Sequence, residues 1–137
     1  MQNSVKLSGD GPIVLVDDDQ ADAYLLRRCY EKSTLPNELI WLGSGLALME
    51  HLRKVSAGAA AMPALIMLDL HMPGLDGLQT LQLIDNLPPE DRPNVLVFTN
   101  SQNPYHREKA DRLGATAWRS KAADPADTVE YFNSLNV

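Results

Sequence analysis

The chain has 137 residues, with 12 Lys and Arg against 18 Asp and Glu, for a formal net charge of −6. This acidic balance argues against direct nucleic-acid binding, which needs a basic face. The one cysteine, Cys29, excludes an intramolecular disulfide and a multi-cysteine metal cluster. No apolar run approaches the ~18–20 residues of a membrane span, and Met1 to Gly11 has no apolar signal-peptide core. Length and a 45% hydrophobic content predict one packed, soluble, cytoplasmic domain over 12–137, preceded by an N-terminal tail over 1–11.

Ile13–Val16 is a continuous aliphatic run, of the kind that suits a strand buried on both faces. Asp17-Asp18-Asp19 stops it, and a helix follows from Ala21 to Lys32 with Ala21, Leu25, Leu26 and Cys29 on its inward side. Pro36 and Asn37 break that helix. Leu39–Leu42 is a second strand, and Ser44 caps a helix from Leu46 to Val55. Ala64–Leu68 is the third strand. A turn-rich loop from His71 to Asp76 leads into a helix over Gly77–Leu87. Val95–Phe98 is the fourth strand. Pro104–Leu113 is a polar helix with Gly114 as its left-handed C-cap. Ala115–Trp118 is a weaker fifth strand. Asp124 and Pro125 open a last helix to Leu135, with Ala126, Val129 and Phe132 inward. Five strands alternating with five helices predict an α/β fold: a doubly wound, five-stranded parallel sheet of order 2-1-3-4-5.

In such a sheet, ligands bind outside the carboxyl ends of the strands, at the switch point between strands one and three. Asp17 and Asp18 follow strand one and Asp69 follows strand three, so the topology gathers three carboxylates. Thr99 and Lys121 follow strands four and five and add a hydroxyl and an ammonium. Clustered carboxylates repel one another, and a divalent cation resolves this. Mg²⁺, which takes oxygen ligands from carboxylates, waters and phosphate, fits the cluster and leaves room for a phosphoryl group. One Asp can then serve as a nucleophile toward phosphorus.

IVLVDDD (Ile13–Asp19), LIMLDLHMPGLDG (Leu65–Gly77), VLVFTN (Val95–Asn100) and the Lys121 region resemble the receiver domains of two-component response regulators. Those domains have the flavodoxin-like, CheY-like fold. The DDDQADAYLL stretch further resembles the small receivers that serve phytochrome kinases. The resemblance implies that Asp69 accepts a phosphoryl group from a phosphohistidine of a sensor histidine kinase or a histidine phosphotransfer protein. It implies that Asp17 and Asp18 hold Mg²⁺ together with Asp69 and the backbone carbonyl of His71. It assigns Thr99 the switch hydroxyl, Lys121 the phosphate partner and Trp118 the aromatic switch coupled to Thr99. His71 and Ser101 fall at positions that tune dephosphorylation.

Two residues depart from that pattern. Ala122 stands where the family has a cis proline, and a non-proline cis bond costs ~3–4 kcal/mol. Asn100 stands where the family has a small residue, which narrows access to Asp69. The expected product is a stand-alone switch rather than a metabolic enzyme, acting through an unknown downstream protein, a homodimer or a phosphorelay. One rival is a haloacid-dehalogenase-type phosphatase with Asp17 as nucleophile and Asp19 as acid–base. The other is a pseudo-receiver that only binds. Taken alone, Asp17–Asp19 also suit plain helix capping, Trp41 suits packing, and His51 and His106 suit a solvated helix surface.

Overall fold

Strands covered on both faces need no alternation of polar and apolar residues, and β1 (Ile13–Val16), β3 (Leu65–Leu68) and β4 (Val95–Thr99) are buried at every position. The structure is a computed structural model and describes residues 5–121 and 124–135. With β2 (Leu39–Leu42) and β5 (Ala117–Ser120), the three central strands form a parallel sheet of order β2-β1-β3-β4-β5. The connections are helices α1 (Gln20–Glu31), α2 (Gly45–Ser56), α3 (Gly77–Asp85) and α4 (Pro104–Arg112), and α5 (Pro125–Ser134) closes the chain. A single 3₁₀ turn at Pro89–Asp91 precedes β4.

The pleat divides the core in two. Ile13, Leu15, Leu65, Met67, Leu96, Phe98 and Ala117 face α1 and α5, where Tyr30 meets Phe132 edge-on with ring centroids 5.3 Å apart. Val14, Val16, Ile66, Leu68, Val95, Val97 and Trp118 face α2, α3 and α4. Each helix starts on a side-chain cap: Asp19, Ser44, Asp76, Asn103 and Asp124 all accept a first-turn amide. The segment before β1 lies against the domain. Val5 is buried, the Ser8 amide donates to the Ala64 carbonyl, and the Asn94 side chain donates to that of Lys6.

Three details differ from the sequence expectation. The buried stripe of α1 is Ala23, Leu26, Cys29 and Tyr30, whereas Ala21 and Leu25 are exposed. The helix has turned so that the large Tyr30 ring fills the space against α5. On α5 the buried residues are Thr128, Tyr131 and Phe132, and Ala126 in the first turn lies outside the core. β5 spans Ala117–Ser120 rather than Ala115–Trp118. The cause lies at the end of α4. Gly114 has φ +90°, its amide donates to the Asp111 carbonyl, and the Ala115 amide donates to that of Ala110. These two bonds close a Schellman motif that uses up Ala115 before the strand can begin.

Gly77 shows how tightly the loop after β3 is packed. A Cβ there would lie 2.4 Å from the Asp69 carbonyl oxygen and 2.5 Å from the Leu70 Cα, both backbone atoms that cannot give way. Gly77→Ala therefore forces the Asp69–Leu70 backbone to shift. In urea titrations this variant is expected to lose about 1–3 kcal/mol, the range for overpacking. A loss within experimental error would show that the loop has slack.

Candidate functional site

β1 and β3 are neighbours in register, with Val16 opposite Leu68, so the residues that follow them emerge side by side. Asp17 and Asp69 are buried and Asp18 is exposed. One carboxylate oxygen from each lies within 4.8 Å of the other two. Asp17 is pinned on several sides. Its Oδ1 accepts the Asp19 amide at 2.9 Å, its amide donates to the Leu42 carbonyl, and its carbonyl accepts the Trp41 indole N–H at 2.8 Å.

Lys121 follows β5, and its amide donates to the Thr99 carbonyl. Its Nζ reaches back across β4 and lies 2.5 Å from Asp17 Oδ2, 3.1 Å from Asp22 Oδ2 and 3.2 Å from Asp69 Oδ2. Burial alone would lower the Lys121 pKa. The hydrogen bond to Asp17, the charges of Asp69 and Asp17, and the hydrogen bond to Asp22 outweigh it, and the net shift is upward. Burial raises the pKa of Asp17 and remains the larger influence. The Lys121 hydrogen bond and charge and the Asp19 amide pull it down, and the charge of Asp69 pushes it up. The two shifts differ in origin: carboxylate contacts hold Lys121 charged, whereas burial prevails at Asp17.

The cluster opens into a cleft of about 590 Å³ lined by Asp18, Asp22, Asp69, His71, Asn100 and Lys121. The structure thus brings Asp17, Asp18, Asp69 and Lys121 together as the topology predicts. His71 lies on the cleft wall, and its amide approaches Asp69 Oδ1 at 3.4 Å. Thr99 is fully buried at the end of β4, its Oγ1 accepting the Ser101 amide at 3.2 Å. Trp118 stands opposite Val97 and shares the α4-facing side of the sheet with it, the side that alternation also gives to Thr99. Asn100 is exposed at the cleft rim. Ala122 lies outside the described residues. Asp19 caps α1 through its side chain.

Three partners escape the sequence reading. Asp22 had a usable signal, since it is the third helical residue after the Asp19 cap, where the first turn faces the strand ends. Trp41 was expected to serve packing alone, yet its indole holds the backbone of Asp17. His106 was expected on a solvated face, yet its Nδ1 lies 2.6 Å from Ser101 Oγ.

The donor set consists of hard carboxylate oxygens from two adjacent strand ends, with Asp18 and Asp69 lining an open cleft. That fits a hard divalent cation, which keeps waters and accepts phosphate oxygens, and does not fit a soft, thiolate-seeking metal. Lys121→Met removes the ammonium and leaves Asp17 and Asp69 buried and unpaired. Its stability at neutral pH is expected to fall by about 3 kcal/mol. A bound cation replaces the missing charge, so Mg²⁺ raises the Tm of the variant more than that of the parent. Equal increments would show that Lys121 does not neutralise this cluster.

The geometry agrees with known proteins. Residues 13–133 match the response regulator receiver domain. Response regulator Rcp1 of Synechocystis sp. (strain ATCC 27184 / PCC 6803 / Kazusa) is 39% identical over 92 residues, covering 66% of this chain and 63% of the relative. The chain thus spans less than two thirds of the length of the curated relatives it matches. The Mn²⁺-bound crystal structure of Rcp1 superposes with a TM-score of 0.77 at 30% identity, covering 93% of this chain and 92% of that one. The phosphorylated cyanobacterial phytochrome response regulator RcpA superposes with a TM-score of 0.79 at 28% identity, covering 94% and 92%. These likenesses set aside the haloacid-dehalogenase alternative. With its CheY-like sheet and its strand-end acids, the chain belongs to the response regulator receiver domain family.

Proposed function

We propose that Asp69 accepts a phosphoryl group from the phosphohistidine of a histidine kinase or phosphotransfer protein, and that the resulting acyl phosphate switches a protein-binding surface. The observation that carries this is a buried Asp69 with Lys121 Nζ at 3.2 Å, inside a carboxylate cluster that opens into a cleft. Asp17, Asp18, Asp69 and the main-chain carbonyl of His71 would hold Mg²⁺. When bound, the cation supplies positive charge to the phosphoryl oxygens and offsets the repulsion among the acids.

The remaining steps belong to the chain's own residues. A carboxylate oxygen of Asp69 attacks phosphorus, and the phosphorus–nitrogen bond of the donor breaks. Lys121, already hydrogen-bonded to Asp69, shares the charge that arrives. Thr99 gives up the Ser101 amide and turns its hydroxyl to a phosphoryl oxygen. Trp118, on the same side of the sheet, follows the space that Thr99 leaves. The readout is the surface of α4, β5 and α5, whose downstream partner is a protein. Hydrolysis of the acyl phosphate resets the switch. The kinship with RcpA, a cyanobacterial phytochrome response regulator, supports a phytochrome-type kinase as the phosphodonor.

Intact-mass measurement after incubation with acetyl phosphate and Mg²⁺ tests this. The parent protein gains one phosphoryl group. The gain disappears in Asp69→Asn and in excess chelator, and is strongly reduced in Asp17→Asn. Full labelling of Asp69→Asn would move the acceptor elsewhere, and no labelling by acetyl phosphate or by a phosphorylated kinase would leave only a binding module.

A further inference from the structure

We propose that His106, on the first turn of α4, is a positioning residue that sets how long the phosphoryl group survives on Asp69. It does so by pinning the loop that forms one wall of the cleft. The inference rests on Asp69 as the phosphoacceptor and adds to it a residue that does not itself line the cleft.

The contacts form a path around the mouth of the site, from the end of β3 to the end of β4. From Asp69 the path runs to His71, whose amide approaches Asp69 Oδ1. The His71 ring meets the His106 ring edge-on, with centroids 5.4 Å apart. His106 Nδ1 lies 2.6 Å from Ser101 Oγ. The Ser101 amide donates to Thr99 Oγ1 at 3.2 Å, which brings the path to the end of β4. Ser101 Oγ also faces the Asn103 amide at 3.4 Å, and Asn103 caps α4. The loop from Thr99 to Asn103 is therefore tied at both ends, and its middle is fastened to α4 by His106 alone among these contacts.

Asn100 and His71 flank the cleft from opposite loops. His106 touches one of them and holds the neighbour of the other. A fastened loop keeps Asn100 over the cleft and limits the approach of water to a phosphoryl group on Asp69. A loop freed at Ser101 opens that approach, and hydrolysis accelerates. Neither the ring of His106 nor the hydroxyl of Ser101 takes part in the chemistry.

The test follows the decay of the phosphoprotein. Each protein is labelled with acetyl phosphate and Mg²⁺, the donor is removed, and the label is measured over time. His106→Phe keeps the ring against His71 but has no nitrogen for Ser101, and Ser101→Ala removes the other half of the bond. Each is expected to shorten the lifetime about fivefold, the factor a neutral hydrogen bond is worth. The double variant is expected to decay no faster than either single one, because both remove the same contact. His106→Asn, whose amide reaches the place of Nδ1, is expected to decay at a rate closer to the parent than to His106→Phe. A merely structural role for the ring would leave His106→Phe like the parent and His106→Asn impaired. That pattern, unchanged decay in His106→Phe, or single effects that multiply in the double variant, overturns the proposal. Absence of label on the parent protein overturns the phosphoacceptor reading itself, and this inference with it.

Discussion

One ammonium serves three carboxylates. Lys121 Nζ sits within hydrogen-bonding distance of Asp17, Asp22 and Asp69, which come from a strand end, a helix turn and a second strand end far apart in sequence. Removing charged groups from water is costly unless they are paired. Here the pairing is incomplete, since a single positive charge cannot compensate all the acids around it. The fold tolerates this because Asp18 and Asp22 remain partly solvated and the cluster opens to a cleft. An excess of negative charge around a partly buried lysine is the local condition that favours a hard divalent cation.

The rest of the structure maintains that condition. β1, β3 and β4 are buried throughout and apolar up to Thr99 at the end of β4, so the sheet is covered on both sides and polar groups sit at its strand ends. The caps at Asp19, Asp76 and Asn103 start α1, α3 and α4 within a few residues of those ends. The loops between are short and crowded. Gly77 fits because it has no Cβ, and Asp17 is held by its own backbone contacts with Leu42 and Trp41. The acids are thus positioned by backbone hydrogen bonds and packing, with their side-chain oxygens gathered beside one another and Lys121.

Much of this was legible in the chain itself. Aliphatic runs that end in Asp, separated by amphipathic stretches, determine an alternating α/β chain, and alternation restricts the sheet to few orders. From that order the meeting of Asp17, Asp18 and Asp69 follows without any knowledge of side-chain positions. Other features were not legible. Helix periodicity told which stretches are helical, but not which stripe of α1 or α5 faces inward, because Leu25 and Ala126 are as apolar as the residues that won. The start of β5 depended on a Schellman motif whose hydrogen bonds engage Ala115, and a propensity for strand cannot register that.

The sequence by itself determined the alternation of strands and helices, the caps at Asp19, Ser44 and Asp124, the acids and lysine at the strand ends, and hence the place of the candidate site. Those features depend on local pattern and on topology, and both are written along the chain. Only the tertiary structure decided which partners meet there: Asp22 with Lys121, the Trp41 indole with the Asp17 carbonyl, and His106 with Ser101 and His71. Such meetings depend on where a loop is pinned and how a helix is rotated about its axis. Those are set by packing across the whole domain, where no single segment carries the information.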